Sequence, residues 1–172
     1  MIYELGPDNG TLAVRTGRTG TVAKAGHDLL LHVTKWRGTL DTGDAPSVTL
    51  DADATSLKVR EGTGGMKALD DGDMANIEQT IDKDVLKRQD ISFRSTRVEQ
   101  TGDGLSVTGD LTLRGSTRPI AFDLELGEER VRGTAVVKQT EWGMKPYTAL
   151  FGALKVADEV RVEIDAALGQ SR

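Results

Sequence analysis

Hydrophobic and polar positions alternate with period two along much of the chain. The clearest run covers residues 105–126. Leu105, Val107, Leu111 and Leu113 fall on one side, and Ser106, Thr108, Asp110 and Thr112 on the other. After a polar turn, Gly115-Ser116-Thr117-Arg118-Pro119, the alternation resumes with Ile120, Phe122, Leu124 and Leu126 against Ala121, Asp123 and Glu125. Successive strand residues point to opposite faces, so this is an antiparallel hairpin with one dry and one wet face.

The same reading places further strands along the chain. Asn9-Gly10 signals a turn before a short strand through Leu12, Val14 and Thr16. Thr21 caps a helical turn over 22–25 that Gly26 stops. From Leu29 to Trp36, Leu29, Leu31 and Val33 share one face, and Leu30, His32, Thr34 and Trp36 the other; Gly38 to Asp41 continues this strand past a bulge. Val48, Leu50, Ala52 and Ala54 form another inward row. Residues 60–73, rich in Gly and Asp, read as an exposed loop. The period then changes: Met74, Ile77, Ile81 and Val85 follow helical spacing, which predicts one amphipathic helix over 74–86 with Asp73 as N-cap, covering one end of the fold. Strands return at 91–98, 131–140 and 156–168. About eight strands with one apolar face and one helix make an all-β antiparallel sandwich or barrel; periodicity does not choose between them.

Composition narrows the class. At 172 residues the chain reads as a single domain, 1–172. Hydrophobic residues are 37% but aromatics only 4%, so the interior rests on Val, Leu, Ile and Ala and leaves room that larger rings would fill. The net charge is −5, with both signs interspersed; no basic cluster exists to neutralise phosphates, and nucleic acid is not an expected partner. There are no cysteines, which removes disulfides, thiolate metal sites and thiol nucleophiles. The first eight residues carry neither a basic nor an apolar signal region, so the expected location is cytoplasmic. The longest uncharged apolar stretch, Ala149 to Leu154, is far below the roughly 18 residues of a membrane span.

Candidate chemistry is sparse. His27 and His32, five positions apart on a strand, point to opposite faces and have no third ligand nearby, so neither a metal nor another cofactor is expected. The ordinary role of His27-Asp28 is to satisfy the backbone of the adjacent turn; its alternative is to meet a ligand headgroup. Residues 60–67 lack the Gly-Lys-Ser/Thr ending of a phosphate loop. No Gly-x-Ser-x-Gly turn is present, and a non-enzymatic role is expected.

The hairpin residues Gly109-Asp110-Leu111-Thr112, Gly115, Thr117 and Pro119 resemble the signature of the YceI-like domain. Three further blocks resemble that family in the same order. They are Ala25-Gly26-His27-Asp28-Leu29, the strand Asp90 to Val98 (with Arg88-Gln89-Asp90 where the family has Tyr-Pro), and Trp142-Gly143-Met144-Lys145-Pro146 followed by Val156 to Val160. The resemblance implies a lipocalin-like barrel that binds an amphiphilic lipid, a polyisoprenoid or similar long-chain molecule, and a homodimer, since barrels of this family often pair. An eight-stranded barrel is wide enough to hold one small ligand. Alternation then makes Leu31, Val33, Phe93, Leu111, Phe122 and Leu124 candidate lumen residues. Trp142 and Phe151 are placed toward an end and His27 near a headgroup. Two other readings stay open: an enzyme acting on a hydrophobic substrate, and a filled-core interaction or stress-response module.

Overall fold

A computed structural model describes residues 1–19, 28–63, 69–149 and 154–169. In chain order the strands are β1 (Ile2–Leu5), β2 (Gly10–Thr16), β3 (Arg18–Thr19), β4 (Asp28–Val33), β5 (Trp36–Asp41), β6 (Ser47–Ala52) and β7 (Leu57–Thr63). After helix α1 (Asp71–Thr80) come β8 (Ile91–Thr101), β9 (Gly104–Leu113), β10 (Ser116–Leu126), β11 (Arg130–Lys138), β12 (Thr148–Ala149), β13 (Leu154–Val156) and β14 (Glu159–Ala167). Eleven strands form one curled antiparallel sheet in the order β1-β5-β6-β8-β9-β10-β11-β14-β2-β4-β7, and β12-β13-β3 form a small second sheet. The all-β barrel with one helix is as expected, with more strands than expected. The helical turn expected over 22–25 lies outside the described residues. No helix among the described residues is long and apolar enough to cross a membrane.

The hairpin is the most regular part. β9 and β10 pair from Leu113↔Ser116 to Gly104↔Glu125 without interruption. The turn is shorter than the polar run suggested: Arg114 and Gly115 alone form it, both at positive φ (50° and 77°), as a two-residue hairpin of matching twist requires. Pro119 therefore lies inside β10, opposite Asp110. In an antiparallel ladder that starts from the bonded pair Leu113/Ser116, position 119 directs its nitrogen away from β9. On that other side, β10 pairs with β11 only over Leu124–Leu126, so no ladder bond is lost.

Three expectations are corrected. First, 29–41 is two strands. Thr34 and Lys35 form a corner: Thr34 N–H and Oγ1–H donate to Ser56 O (2.9 and 2.8 Å) and Lys35 N–H donates to Ser56 Oγ (3.1 Å). β4 then pairs with β2 and β7, while β5 pairs with β1 and β6. The corner resets the alternation, so Trp36 is buried in the core rather than facing out with His32. Second, 60–63 is strand. Gly62, read as a loop signal, permits close packing instead: a Cβ there would lie 2.3 Å from Leu69 Cδ1. Third, the helix starts earlier. Asp70 is the N-cap, and Asp73 is its reciprocal partner: Asp73 N–H donates to Asp70 Oδ1 (2.8 Å) and Asp70 N–H to Asp73 Oδ2 (3.1 Å). Past Thr80 the helix widens into a π turn, Ile81–Val85, with Leu86 N–H donating to Ile81 O at 2.8 Å. The helix flanks the edge strand β7, and Glu78 Oε2 accepts Val59 N–H (3.1 Å), which covers a donor an edge strand would leave open.

One end of the barrel is closed by register. Gly10 lies opposite Ala166, Ala166 opposite Val131, and Val131 opposite Leu126. The approach is so close that a Cβ on Gly10 would fall 2.5 Å from that of Ala166. Asn9 locks this end, its Nδ2 donating to Ala167 O at 3.2 Å.

Candidate functional site

Inside the curled sheet is a cavity of about 550 Å³. Its wall is the inward row of each long strand: Leu12, Val14 and Thr16 on β2, Val48 and Leu50 on β6, Leu111 and Leu113 on β9, and Val160, Val162 and Ile164 on β14. Ile77, Thr80, Ile81 and Val85 of the helix and its π turn complete it. The helix has no buried residue of its own, so one part of the wall is a lightly packed helix face. Strand alternation and helix periodicity each bring their apolar row to the same space, which is why the lining is overwhelmingly aliphatic.

All six candidate lumen residues, Leu31, Val33, Phe93, Leu111, Phe122 and Leu124, border this cavity. Phe93 and Phe122 pack against each other with ring centroids 5.3 Å apart at 56°, a tilted arrangement that suits aromatic quadrupoles. Trp142 is elsewhere. It is buried in the core, and its Nε1–H donates to Leu111 O at 2.8 Å, so it braces β9 from outside the lining. His27 and Phe151 lie outside the described residues. His32 is on the opposite face of β4 from Leu31 and Val33. Burial first, then the Arg60 and Arg15 guanidiniums, hold its imidazole below the ordinary histidine range, so it is neutral near pH 7. No group of three His, Asp or Glu side chains that would hold a metal exists among the described residues.

The polar groups gather at the end opposite the closed one. There β2 ends with Thr16 opposite Leu29, and Val137 of β11 lies opposite Val160 of β14. The small sheet is added at this end: Arg18 pairs with Val156, Ala157 N–H donates to Gly17 O (3.0 Å), and Val156 N–H donates to Tyr147 O (2.9 Å). A 3-10 turn, Gln139–Trp142, follows β11. Asp158 holds this turn by accepting Thr140 N–H at 2.8 Å and Thr140 Oγ1–H at 2.6 Å. The hydroxyl bond keeps the Asp158 carboxyl below its usual range. Gln139 borders the cavity, but its Nε2 donates to Ala157 O (3.1 Å), a structural use of that amide.

Sequence reasoning missed most of β14 and the helix as lining, although the same alternation and helical spacing would have found Val162, Ile164, Ile77 and Ile81. It gave no signal for Arg18, which stands in the polar run Arg15-Thr16-Gly17-Arg18-Thr19. Among the described lining residues Arg18 is the sole charged side chain.

Comparison with known proteins agrees with this architecture. A family model described as the YceI-like domain matches residues 3–168. Protein YceI of Escherichia coli is 49% identical over 35 residues, covering 20% of this chain and 18% of that protein. The chain thus matches its curated relatives over about a fifth of their length. Among solved structures, BcnA of Burkholderia cenocepacia has a TM-score of 0.61 at 17% identity, covering 93% of this chain and 96% of that one. The YCEI protein of Campylobacter jejuni has a TM-score of 0.61 at 12% identity, covering 83% of this chain and 85% of that one. At these identities the two structures share the fold.

Proposed function

The chain belongs to the YceI-like domain family, and from that premise we propose that it binds and carries a long-chain amphiphilic lipid, a polyisoprenoid or a similar molecule, in its lumen without chemical change. The observation that carries this reading is the 550 Å³ cavity bordered by aliphatic side chains. Its size falls within the roughly 300–1,000 Å³ range of ligand sites. A flexible hydrocarbon is the ligand such a wall recognises. Each buried methylene contributes roughly 0.8 kcal/mol, so about ten of them supply roughly 8 kcal/mol before ordering costs are subtracted. Branched side chains along the wall suit the methyl-bearing outline of a prenyl chain as well as a straight acyl chain.

The test is native mass spectrometry of protein purified from its own organism, followed by solvent extraction. The expected result is a bound mass that leaves with solvent and fragments as a hydrocarbon chain. A protein that is always ligand-free, and that takes up no prenyl or acyl chain on reconstitution, would overturn the reading.

A further inference from the structure

We propose that helix α1 is a hinged door in the barrel wall, through which the ligand enters and leaves the lumen. The inference rests on the lumen-binding reading above and adds the route. α1 stands beside β7, the last strand of the large sheet. Ile77 and Thr80 border the cavity, and Asn76 borders it while exposed to solvent. The thickness of one helix therefore separates lumen from solvent here.

The door is unevenly anchored. At its C-terminal side Leu86 is buried in the core, and Ile81 and Val85 of the π turn pack against that core. α1 itself has no buried residue. A segment with so little burial opens at a lower cost than the packed strands around it. The joint between the two parts is weak. Ile81 N–H is shared between Glu78 O and Ile77 O, and the next bond skips to the wider Leu86–Ile81 closure. Such an interruption of the regular ladder is where helices bend. Beyond it Lys87 and Arg88 both hold positive φ (51° and 56°), which is costly for residues with a Cβ. Arg88 pins this conformation by gripping Asp82 twice: its N–H donates to Asp82 O (2.9 Å) and its Nε–H to Asp82 Oδ2 (3.1 Å). Asp82 Oδ1 is left buried without a hydrogen-bond partner. Strain and an unsatisfied oxygen thus collect at the joint, and both favour its rearrangement.

The free side of the door is latched. Among the described residues, the polar ties of α1 to the sheet both come from Glu78. Its Oε2 accepts Val59 N–H at 3.1 Å, and its Oε1 lies 3.7 Å from Lys58 Nζ. Both partners are on β7, so release of one carboxylate frees the helix. The competing account is that Glu78 only protects the edge of β7. Its loss would then lower stability and leave the rate of ligand entry unchanged.

The experiment is stopped-flow mixing of the full chain with cis-parinaric acid. Uptake is read by energy transfer from Trp36 and Trp142, and release by displacement with excess palmitate. Glu78→Ala is expected to speed uptake and release alike, roughly three- to tenfold, with little change in Kd. A latch acts on both rates, whereas a lost lining contact would shift affinity. Arg130→Gln, which removes a pair to Asp165 (Nε to Oδ1, 2.9 Å) away from the lining, should exchange ligand at the wild-type rate. The chain has no cysteine, so Lys58→Cys/Glu78→Cys accepts a short bifunctional thiol crosslinker that replaces the latch by a covalent strap. This double variant should exchange faster than wild type when unlinked and slower when linked. Thermal midpoints serve as the folding control. Unchanged rates in Glu78→Ala, or equal rates in the linked and unlinked double variant, overturn the door while the lumen reading stands. Faster release with unchanged uptake also overturns it, because that is a looser fit rather than a lowered barrier. If neither cis-parinaric acid nor farnesol binds wild type, the lumen reading falls and this inference with it.

Discussion

Val107 and Ile164 both point inward from regular strands, yet they differ in what they meet. Val107 is fully buried (0% exposed) and belongs to the same buried core as Leu105 and Ala166. Ile164, like Val160, Val162 and Phe122, is inward but only half-buried, because it faces the cavity. Register alone does not make this contrast, because Leu105, Leu124, Gly133 and Ile164 are successive ladder partners. At one end adjacent strands bring small residues, Gly10 and Ala166, into contact and the sheet closes tightly. Ile164 instead borders a cavity that is completed by a helix with no buried residue. Alternation therefore specifies which side chains face in, but the space they face is decided by how far strands approach.

The sharpest way to break this contrast is truncation on both sides of it. Leu105→Ala, at a buried position that does not border the cavity, is expected to cost about 2–5 kcal/mol in urea unfolding, because a new cavity opens in a packed region. Ile164→Ala should cost roughly half as much, since that side chain already borders open volume. Equal losses would mean that the two positions are packed alike. Enlargement gives the converse. Val107→Phe should overpack the fully buried part of the core and cost about 1–3 kcal/mol. Val162→Phe should leave the thermal midpoint nearly unchanged but reduce the lipid retained on native mass spectrometry. Leu124 is less suitable for that purpose than its position in the alternation implies: it borders the cavity but is 5% exposed.

A smaller effect is expected at the helix. Asp70→Ala removes one half of the capping box and should cost about 1 kcal/mol, with faster amide exchange in 71–80 and no change in β9. Exchange that rises equally in β9 would show the helix to be as integral as the packed end. The smallest effect is electrostatic. His32 lies on the outer face with its imidazole held below the ordinary range. The unfolded chain therefore takes up that proton first, and stability should decline as pH falls below about 6.5. His32→Gln should flatten this slope and leave lipid retention untouched, because His32 is not part of the lumen. An unchanged slope would show that another group sets it.

Much of the wall was legible because β9 and β10 bury one strict row, and Leu111, Phe122 and Leu124 could be assigned from alternation alone. The corner at Thr34–Lys35 was not. It depends on hydrogen bonds to Ser56, some twenty positions away, and nothing in the local run announces that the phase resets before Trp36. Gly62 misled for a related reason: glycine marks both turns and close approaches, and only the position of Leu69 distinguishes them. The two strong caps Asp70 and Asp73 form one motif, so reading either as the N-cap was a matter of three residues. Arg18 was invisible because a charge in a polar run becomes exceptional only when the fold surrounds it with aliphatic neighbours. Whether the lumen was hollow depended on how closely strands and helix pack around it, which low aromatic content hinted at without locating.

The contact between Asn9 and Ala167 bridges 158 positions of sequence, and the β2–β14 ladder beside it joins equally distant segments. The β8–β9–β10 meander, by contrast, needs only short loops. Hairpins form on roughly the microsecond scale, whereas closing long loops is slow because the chain entropy is lost before the contacts form. Refolding should therefore begin in the meander and end with the β2–β14 seam. Until that seam closes, β2 and β14 both expose bare strand edges to other chains. The last ladder to form is thus also the one that guards the protein against aggregation, and during synthesis that protection is absent until β14 has emerged.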